Sequence, residues 1–433
     1  MLARSLAAAL DRRNIHYGWV IVVTAFFSSL VMAGAVGLPG ALIKPLTTEF
    51  GWDAAQISSA LAVRFVLFGL MAPFSAALID RYGVRRVILS AQMLVFTGLM
   101  AALFITSLWQ LILFWGIFVG VGTGLTALVL NAILSTRWFT ARRGLVMGML
   151  TAAIATGQLV FLPVGAWLVD HYGWRWALAP LGIGIVLAAI AVTLFLVDYP
   201  SEVGLKPYGE TGPVTAPPPR QEGALGAAAL RAVDILRECV RAPAFWLLAG
   251  SFFICGLSTN GLIQTHFISF CVDNGMAAVT AASALAMMGV FDLFGTIGSG
   301  WLSDRYDARK LLFVYYGFRG LSLLWLPSST FTLYGLSVFA MFYGLDWIAT
   351  VPPTVKLVGA QFGREKAGVA FGWIFAAHQL GAASAAMLGG LSRTWLLTYA
   401  PSFYLAGFAC LLAAIFSLMI GRGGARKATP AMA

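Results

Sequence analysis

Long apolar runs separated by short polar breaks make up nearly the whole chain. Twelve runs reach the length a bilayer-spanning helix needs, near 17–38, 54–78, 87–106, 108–130, 144–165, 176–197, 244–270, 278–300, 311–327, 331–351, 367–390 and 398–420. Residues 198–226 break the rhythm with Asp198-Tyr-Pro-Ser-Glu-Val-Gly-Leu-Lys-Pro and Thr215-Ala-Pro-Pro-Pro-Arg220, which read as a linker. Beyond it, Leu230, Val233, Ile235, Leu236 and Val240 alternate with Arg231, Asp234, Arg237, Glu238 and Arg241. That pattern suits a short amphipathic helix at a membrane surface. The predicted fold is all-α and integral to the membrane, with twelve transmembrane helices in two pseudo-symmetric six-helix bundles. The first bundle takes residues 1–197, the linker with its short helix takes 198–243, and the second bundle with a short tail takes 244–433.

A repeat supports the two halves. Asp80-Arg-Tyr-Gly-Val-Arg-Arg86 recurs as Asp304-Arg-Tyr-Asp-Ala-Arg-Lys310, and Gly144-Leu-Val-Met-Gly148 matches Gly368-Val-Ala-Phe-Gly372 at the same offset of 224 residues. A period of about half the chain is too long for a solenoid and fits parallel repeats with a site between them.

Composition agrees. The chain is 60% hydrophobic and 10% charged, with mean hydropathy +0.86, where a soluble domain carries about a quarter charged residues. The net charge of +11 suggests a nucleic-acid partner until the charges are placed. The N-terminus, the even-numbered loops and the C-terminus hold 23 of the 28 Lys and Arg residues, the odd-numbered loops only Lys44, Arg175 and Arg393. The positive-inside rule then puts both termini in the cytoplasm of a multi-pass protein of the cell inner membrane, with no nucleic-acid partner. Arg4, Arg12 and Arg13 precede a run too long for a signal peptide, so it reads as an uncleaved first span. Cys239, Cys255, Cys271 and Cys410 have no metal-site spacing and read as small apolar fillers. No P-loop, metal-ligand cluster or nucleophile–base set occurs, which argues against ATP-driven transport, enzymatic chemistry, a metal or a cofactor.

The chain resembles the major facilitator superfamily over nearly its whole length, through the twelve spans, the central linker and the repeated charged loop. His16-Tyr-Gly-Trp19, Lys44-Pro-Leu-Thr-Thr-Glu-Phe-Gly-Trp52, Arg137-Trp-Phe-Thr-Ala-Arg-Arg-Gly144 and Glu202-Val-Gly-Leu-Lys-Pro-Tyr208 are similar to the bacterial monocarboxylate-porter and oxalate/formate-antiporter group. Phe291 to Arg305 resembles the YcxA-like bacterial branch, whose substrates are mostly unassigned. Two departures stand out. Ala76 replaces the glycine that usually opens the first loop motif, although Gly300 keeps it in the second. Monocarboxylate porters carry Asp and Arg four residues apart on span eight; here Asp292 is followed by Thr296. Lactate-type transport by that pair does not carry over.

Ionisable groups inside spans are costly and mark function. Arg64 lies in span two, where the resemblance implies a cavity wall, and the N-terminal half has no acid inside any span. Its guanidinium either offers a fork to a substrate carboxylate, reaches backbone carbonyls, or pairs across the halves with Asp292 or Asp346. Arg319 is expected to pair with Asp292 or Asp346 as an internal fold-holding contact. Asp292 is the leading protonatable group. His378 and Gln379 on span eleven, with Asn260, Gln264 and His266 on span seven, are candidate polar contacts to substrate or between helices. The loop residues Asp80, Arg81, Gly83, Arg85 and Arg86, with Asp304, Arg305 and Arg309, are expected to act as gates. Gly83 supplies a turn in the first copy, and Asp307 in its place makes the second the weaker latch.

These readings converge on a monomeric secondary transporter working by alternating access on a small organic anion, a monocarboxylate being the leading case, by proton symport or anion exchange. Two rivals are a proton-antiport exporter of drugs or sugars and a non-transporting membrane sensor, for which the segments outside the spans are too short.

Overall fold

The structure is a computed structural model that describes residues 2–126, 128–211, 214 and 224–421. Twelve long helices cross the molecule: α1 (Gly18–Phe50), α2 (Ala54–Tyr82), α3 (Val84–Ala102), α4 (Leu108–Leu125, resuming at Leu128–Trp138), α5 (Arg143–Tyr172), α6 (Trp174–Phe195), α7 (Pro243–Asp273), α8 (Ala278–Arg305), α9 (Ala308–Trp325), α10 (Leu333–Phe362), α11 (Arg364–Leu396) and α12 (Ala400–Met419). Ten helices among the described residues are long and apolar enough to cross a bilayer on composition alone. Most run a turn or two beyond the apolar runs, because polar helix ends stay helical outside the apolar layer. Two surface helices complete the chain, Leu2–Asp11 before α1 and Ala224–Cys239 in the linker. We call the side with the linker helix and the Asp-Arg-Tyr loops the linker face and the opposite side the far face.

Local chemistry sets the breaks. Gly51 takes a left-handed conformation at φ 70° to end α1. Asp53 and Gln56 then form a reciprocal capping box that starts α2, at 2.7 and 3.0 Å. Pro39 interrupts α1 after Leu38, since it has no N–H to continue the ladder. On the opposite repeat, α7 widens into a π-helical stretch over Leu257–Gln264.

The halves meet through α2 against α11 and α5 against α8. At the offset of 224, α2 corresponds to α8 and α5 falls within three residues of α11, so the two contacts are copies of one another. Gly40 and Gln264, also 224 positions apart, touch: a Cβ on Gly40 would meet the Gln264 carbonyl at 2.5 Å. Equivalent positions can meet only on the pseudo-twofold axis, so α1 and α7 seal the far face along that axis. The Ala55 N–H donates to Thr394 Oγ1 across the halves at 3.2 Å, at the same end. Ala41, Leu162 and Ala166 pack into the C-terminal core, and Ala382, Ala383 and Ala386 into the N-terminal one. α2 and α11 stay in touch toward the linker face, where Phe74 and Trp373 lie 6.2 Å apart. By contrast, a Cβ on Gly148 in α5, or on Gly298 or Gly300 in α8, would meet nothing within 4 Å.

The linker helix bridges this face. Trp373 Nε1 donates to the Ala232 carbonyl at 2.8 Å, and Lys366 Nζ donates to Glu238 at 2.6 Å. Earlier in the linker, Tyr208 pairs with the α4–α5 loop, its N–H bonding the Trp138 carbonyl at 2.8 Å. The stretch Thr215–Arg220 lies outside the described residues.

Gly40→Val is therefore expected to destabilise the folded transporter by about 1–3 kcal/mol through overpacking at the axis, whereas Gly148→Val leaves it within about 0.5 kcal/mol. Thermal unfolding of the two purified variants in detergent tests the contrast; equal losses would mean that the axis contact is not tight.

Candidate functional site

Arg64 sits midway along α2 and is buried. Its Nη1 donates to the Val36 carbonyl of α1 at 2.7 Å, and its guanidinium lies 4.4 Å from the centre of the Phe65 ring. Among the described residues no carboxylate lies within ion-pair distance of it. The backbone carbonyl, one of the three partners expected from the sequence, is the one observed. Val36 lies in the last turn before the helix breaks at Pro39. Gly120 brings α4 against the Arg64 backbone, where a Cβ would meet Arg64 Cα and O at 3.0 Å.

Across the interface, the π-helical turn of α7 holds two candidates. Thr265 Oγ1 bonds the Asn260 carbonyl five residues back at 2.9 Å, the spacing of a π turn, which often marks a working site. Asn260 is half-buried; Gln264 is buried and its Oε1 has no partner among the described residues. On α11, His378 lies between the rings of Phe252 and Phe375, at 4.8 and 5.6 Å, with Nδ1 unpartnered. Gln379 is buried at the α2–α11 contact beside Gly69, its Oε1 also unpartnered. Gly256 and Gly381 leave no room for a Cβ between α7 and α11, and this close approach sets where His378 sits. His266 is elsewhere. It is fully buried, packs 5.1 Å from Tyr399, and bonds the Ala386 carbonyl through Nε2 at 2.8 Å, inside the C-terminal bundle.

The C-terminal charges form one cluster. Arg319 turns inward from α9 and pairs through Nε with Asp346 Oδ2 at 2.6 Å. Its remaining donors reach the carbonyls of Asp346 and Trp347, at 2.5 and 3.0 Å, and Cys255 Sγ at 2.9 Å. Asp292 is not its ion-pair partner. It accepts instead from the Ile348 N–H at 2.9 Å and from Thr296 Oγ1 at 3.0 Å. Thr296, standing where a monocarboxylate porter has Arg, thus hydrogen-bonds Asp292 without giving it a counter-charge. Cys255 corrects the reading of the cysteines as fillers: its sulfur joins Arg319, Thr350 at 3.3 Å and His378. Nothing in its spacing announced this, because its polar partners come from other helices.

The charged loops bond within their own halves. The Arg85 N–H donates to Asp198 Oδ1 at 3.0 Å and its Nη2 to the Thr193 carbonyl at 2.5 Å, which ties the α2–α3 loop to the end of α6. Arg81 lies over Tyr82 and Arg305 over Trp301, at 5.3 and 4.0 Å. Arg86 and Asp304 are exposed; the Asp80 side chain lies outside the described residues. Gly83 turns the first loop at φ 85°. Asp307 does not copy that turn. At φ −65° it caps α9 through the Arg309 N–H at 2.9 Å and pairs with the Arg309 guanidinium at 2.7 Å. That hydrogen bond holds the Asp307 carboxyl down at about 2. The second copy replaces a backbone turn with a side-chain cap.

A pair of contacts at the far face escaped the sequence reading. Glu49 accepts from Arg175 Nη1 and Trp174 Nε1, both at 2.6 Å, and Asp273 accepts from Arg393 at 2.6 Å. Glu49 and Asp273 are 224 residues apart, so equivalent acids at the far ends of α1 and α7 each bind an arginine, although the arginines, on α6 and α11, are not equivalent positions. The repeat was detectable here, but acid-to-acid matches among unrelated neighbours carry little weight alone.

Comparison with known proteins gives a consistent picture. The sequence profile of the Major Facilitator Superfamily matches residues 25–386. Monocarboxylate transporter 13 of Bos taurus is 29% identical over 92% of this chain and 87% of its own length. The uncharacterized MFS-type transporter YcxA of Bacillus subtilis is 22% identical over 93% and 95%. Among solved structures, the inward open conformation of the xylose transporter XylE from E. coli superposes with a TM-score of 0.70 at 15% identity, covering 95% of this chain and 98% of that one. The last likeness is one of fold.

The Arg319 cluster makes a stability prediction. Arg319→Met leaves Asp346 buried without a counter-charge and is expected to cost about 3–5 kcal/mol, while Arg319→Met with Asp346→Leu recovers most of the loss. Thermal unfolding of both variants decides it; equal loss in the double variant would mean that the stranded carboxylate is not the cause.

Proposed function

Since the chain belongs to the major facilitator superfamily, a family of membrane transporters and not of enzymes, we propose that it carries a small monocarboxylate across the membrane by alternating access, together with a proton. The observation that carries this reading is Arg64: a buried guanidinium in a transmembrane helix with a carbonyl, and no carboxylate among the described residues, as its partner. A carboxylate substrate supplies the missing charge through a charge-assisted pair. In this reading Asn260, Gln264, His378 and Gln379 of the other half supply the polar contacts, and three of the four have unfilled hydrogen-bonding capacity. The names of the relatives, monocarboxylate transporters, favour the same cargo class.

Charge balance favours symport over bare uniport. The ionisable groups inside the spans, with both histidines neutral, are Arg64, Arg319, Asp292 and Asp346, which sum to zero. An entering carboxylate adds one negative charge to an apolar interior, and one accompanying proton removes it. Asp292, held by a backbone N–H and a hydroxyl and by no counter-ion, is the proton acceptor in this reading, with His378 as the second carrier. The basic residues of the linker face support a cytoplasmic position for that face and both termini in an inner-membrane protein.

A neutral sugar would leave Arg64 without a counter-charge, which disfavours the sugar-export reading despite the shared fold.

Uptake of a labelled monocarboxylate into proteoliposomes tests both parts. Arg64→Ala should reduce initial uptake at least about tenfold, the size of one lost charge-assisted contact, and unchanged uptake refutes the anion site. With the outside more acidic, uptake by the parent should accelerate because the proton and the anion move together. Asp292→Asn should abolish that acceleration while carboxylate exchange at equal pH continues.

A further inference from the structure

The acceptor that Arg64 holds is also a joint in the machinery. Val36 lies three residues before Pro39, where α1 stops and restarts as the half-helix Pro39–Phe50. Pro39 returns no N–H to the Ala35 carbonyl four residues back, in the same last turn of the first half-helix that carries Val36. The half-helix beyond carries Gly40, which closes the far face against the Gln264 carbonyl on the pseudo-twofold axis. Its other end is fastened to Arg175 and Trp174 through Glu49. One guanidinium therefore grips the point from which the far-face seal hangs. The Arg64 backbone is held by the close approach of Gly120, and Phe65 flanks the guanidinium. What is left to change is the group that accepts from Nη1.

We infer that the Val36–Pro39 joint is a positioning element for transport, whose carbonyl stands in for the substrate carboxylate on Arg64 and is released when the substrate takes its place. Acceptor exchange frees the joint, and the half-helix can then swing off the axis. The inference rests on Arg64 as the carboxylate ligand, and it adds a consequence that reading lacks. The joint competes with substrate, so it lowers affinity, and its release is a step of turnover, so it raises rate. A merely structural proline would move neither in this opposed way.

Two measurements on the full-length purified protein decide it. Pro39→Ala restores the donor to Ala35 and lets the helix run on, so that the Gly40 N–H occupies the Val36 carbonyl in place of Arg64; pyruvate affinity should then rise about tenfold, one exchanged hydrogen bond, while proteoliposome turnover falls severalfold. Pro45→Ala, in the same half-helix but away from the joint, should change neither. Unaltered affinity and turnover in Pro39→Ala, or the same changes in Pro45→Ala, overturns the inference. Independently of how Pro39→Ala folds, hydrogen–deuterium exchange over residues 36–42 should quicken when pyruvate is added to the parent protein and not to Arg64→Ala. If Arg64→Ala binds pyruvate like the parent, the anion site itself is wrong. If Arg64→Ala loses binding but pyruvate leaves exchange at 36–42 of the parent unchanged, only the joint is wrong.

Discussion

A charge inside an apolar, water-poor layer must find its compensation within reach of its own side chain, and the two halves meet this demand differently. The C-terminal half compensates internally: Arg319 spends its donors on Asp346, two carbonyls and a thiol. The N-terminal half buries one guanidinium and gives it a carbonyl. A carbonyl dipole tolerates a cation without cancelling it. That residual positive charge is what the proposed anionic ligand would use.

Pseudo-symmetry explains how one packing frame carries two chemistries. Gly120 approaches the Arg64 backbone as Gly344 approaches that of Met288, and these pairs are related by the same 224 residues. Gly124 packs on the Phe68 backbone, and its counterpart Ile348 gives its N–H to Asp292, the counterpart of Phe68. The helices therefore cross in the same way in both halves. Small residues at the crossings fix the frame, and the side chains projected from it differ: a guanidinium on one side, a carboxylate one turn further along on the other. Transport chemistry is an asymmetry laid on a symmetric scaffold.

Much of this was legible in the sequence, and the limits are physical. Twelve spans, two halves and the linker follow from apolar run lengths and a repeated loop, because the bilayer leaves the backbone few alternatives. The rarity of charges inside spans singled out Arg64, Asp292, Arg319 and Asp346 for the same reason. What could not be read was pairing. Whether Arg319 meets Asp292 or Asp346 depends on helix rotation, and Thr296 and the Ile348 N–H settle it by occupying Asp292. Cys255 and the Glu49–Arg175 contact depend on helices distant in sequence. Asp307 shows the converse: its substitution for glycine was visible, but the gain of a cap with Arg309 required knowing where α9 begins.

If Arg64 binds the substrate as proposed, selectivity follows from how it is satisfied at rest. A buried guanidinium with no partner would be costly enough to unfold its surroundings or to bind any acceptor indiscriminately. With the Val36 carbonyl in place the resting state is stable, and a ligand must out-compete a dipole to enter. A neutral hydroxyl offers no more than that carbonyl already does, so it gains nothing by the exchange, whereas a carboxylate brings a full charge and a second oxygen. Under the proposed function the Arg64–Val36 bond sets this threshold, and it, rather than the twelve-helix fold shared with a sugar transporter, would separate anions from neutral cargo.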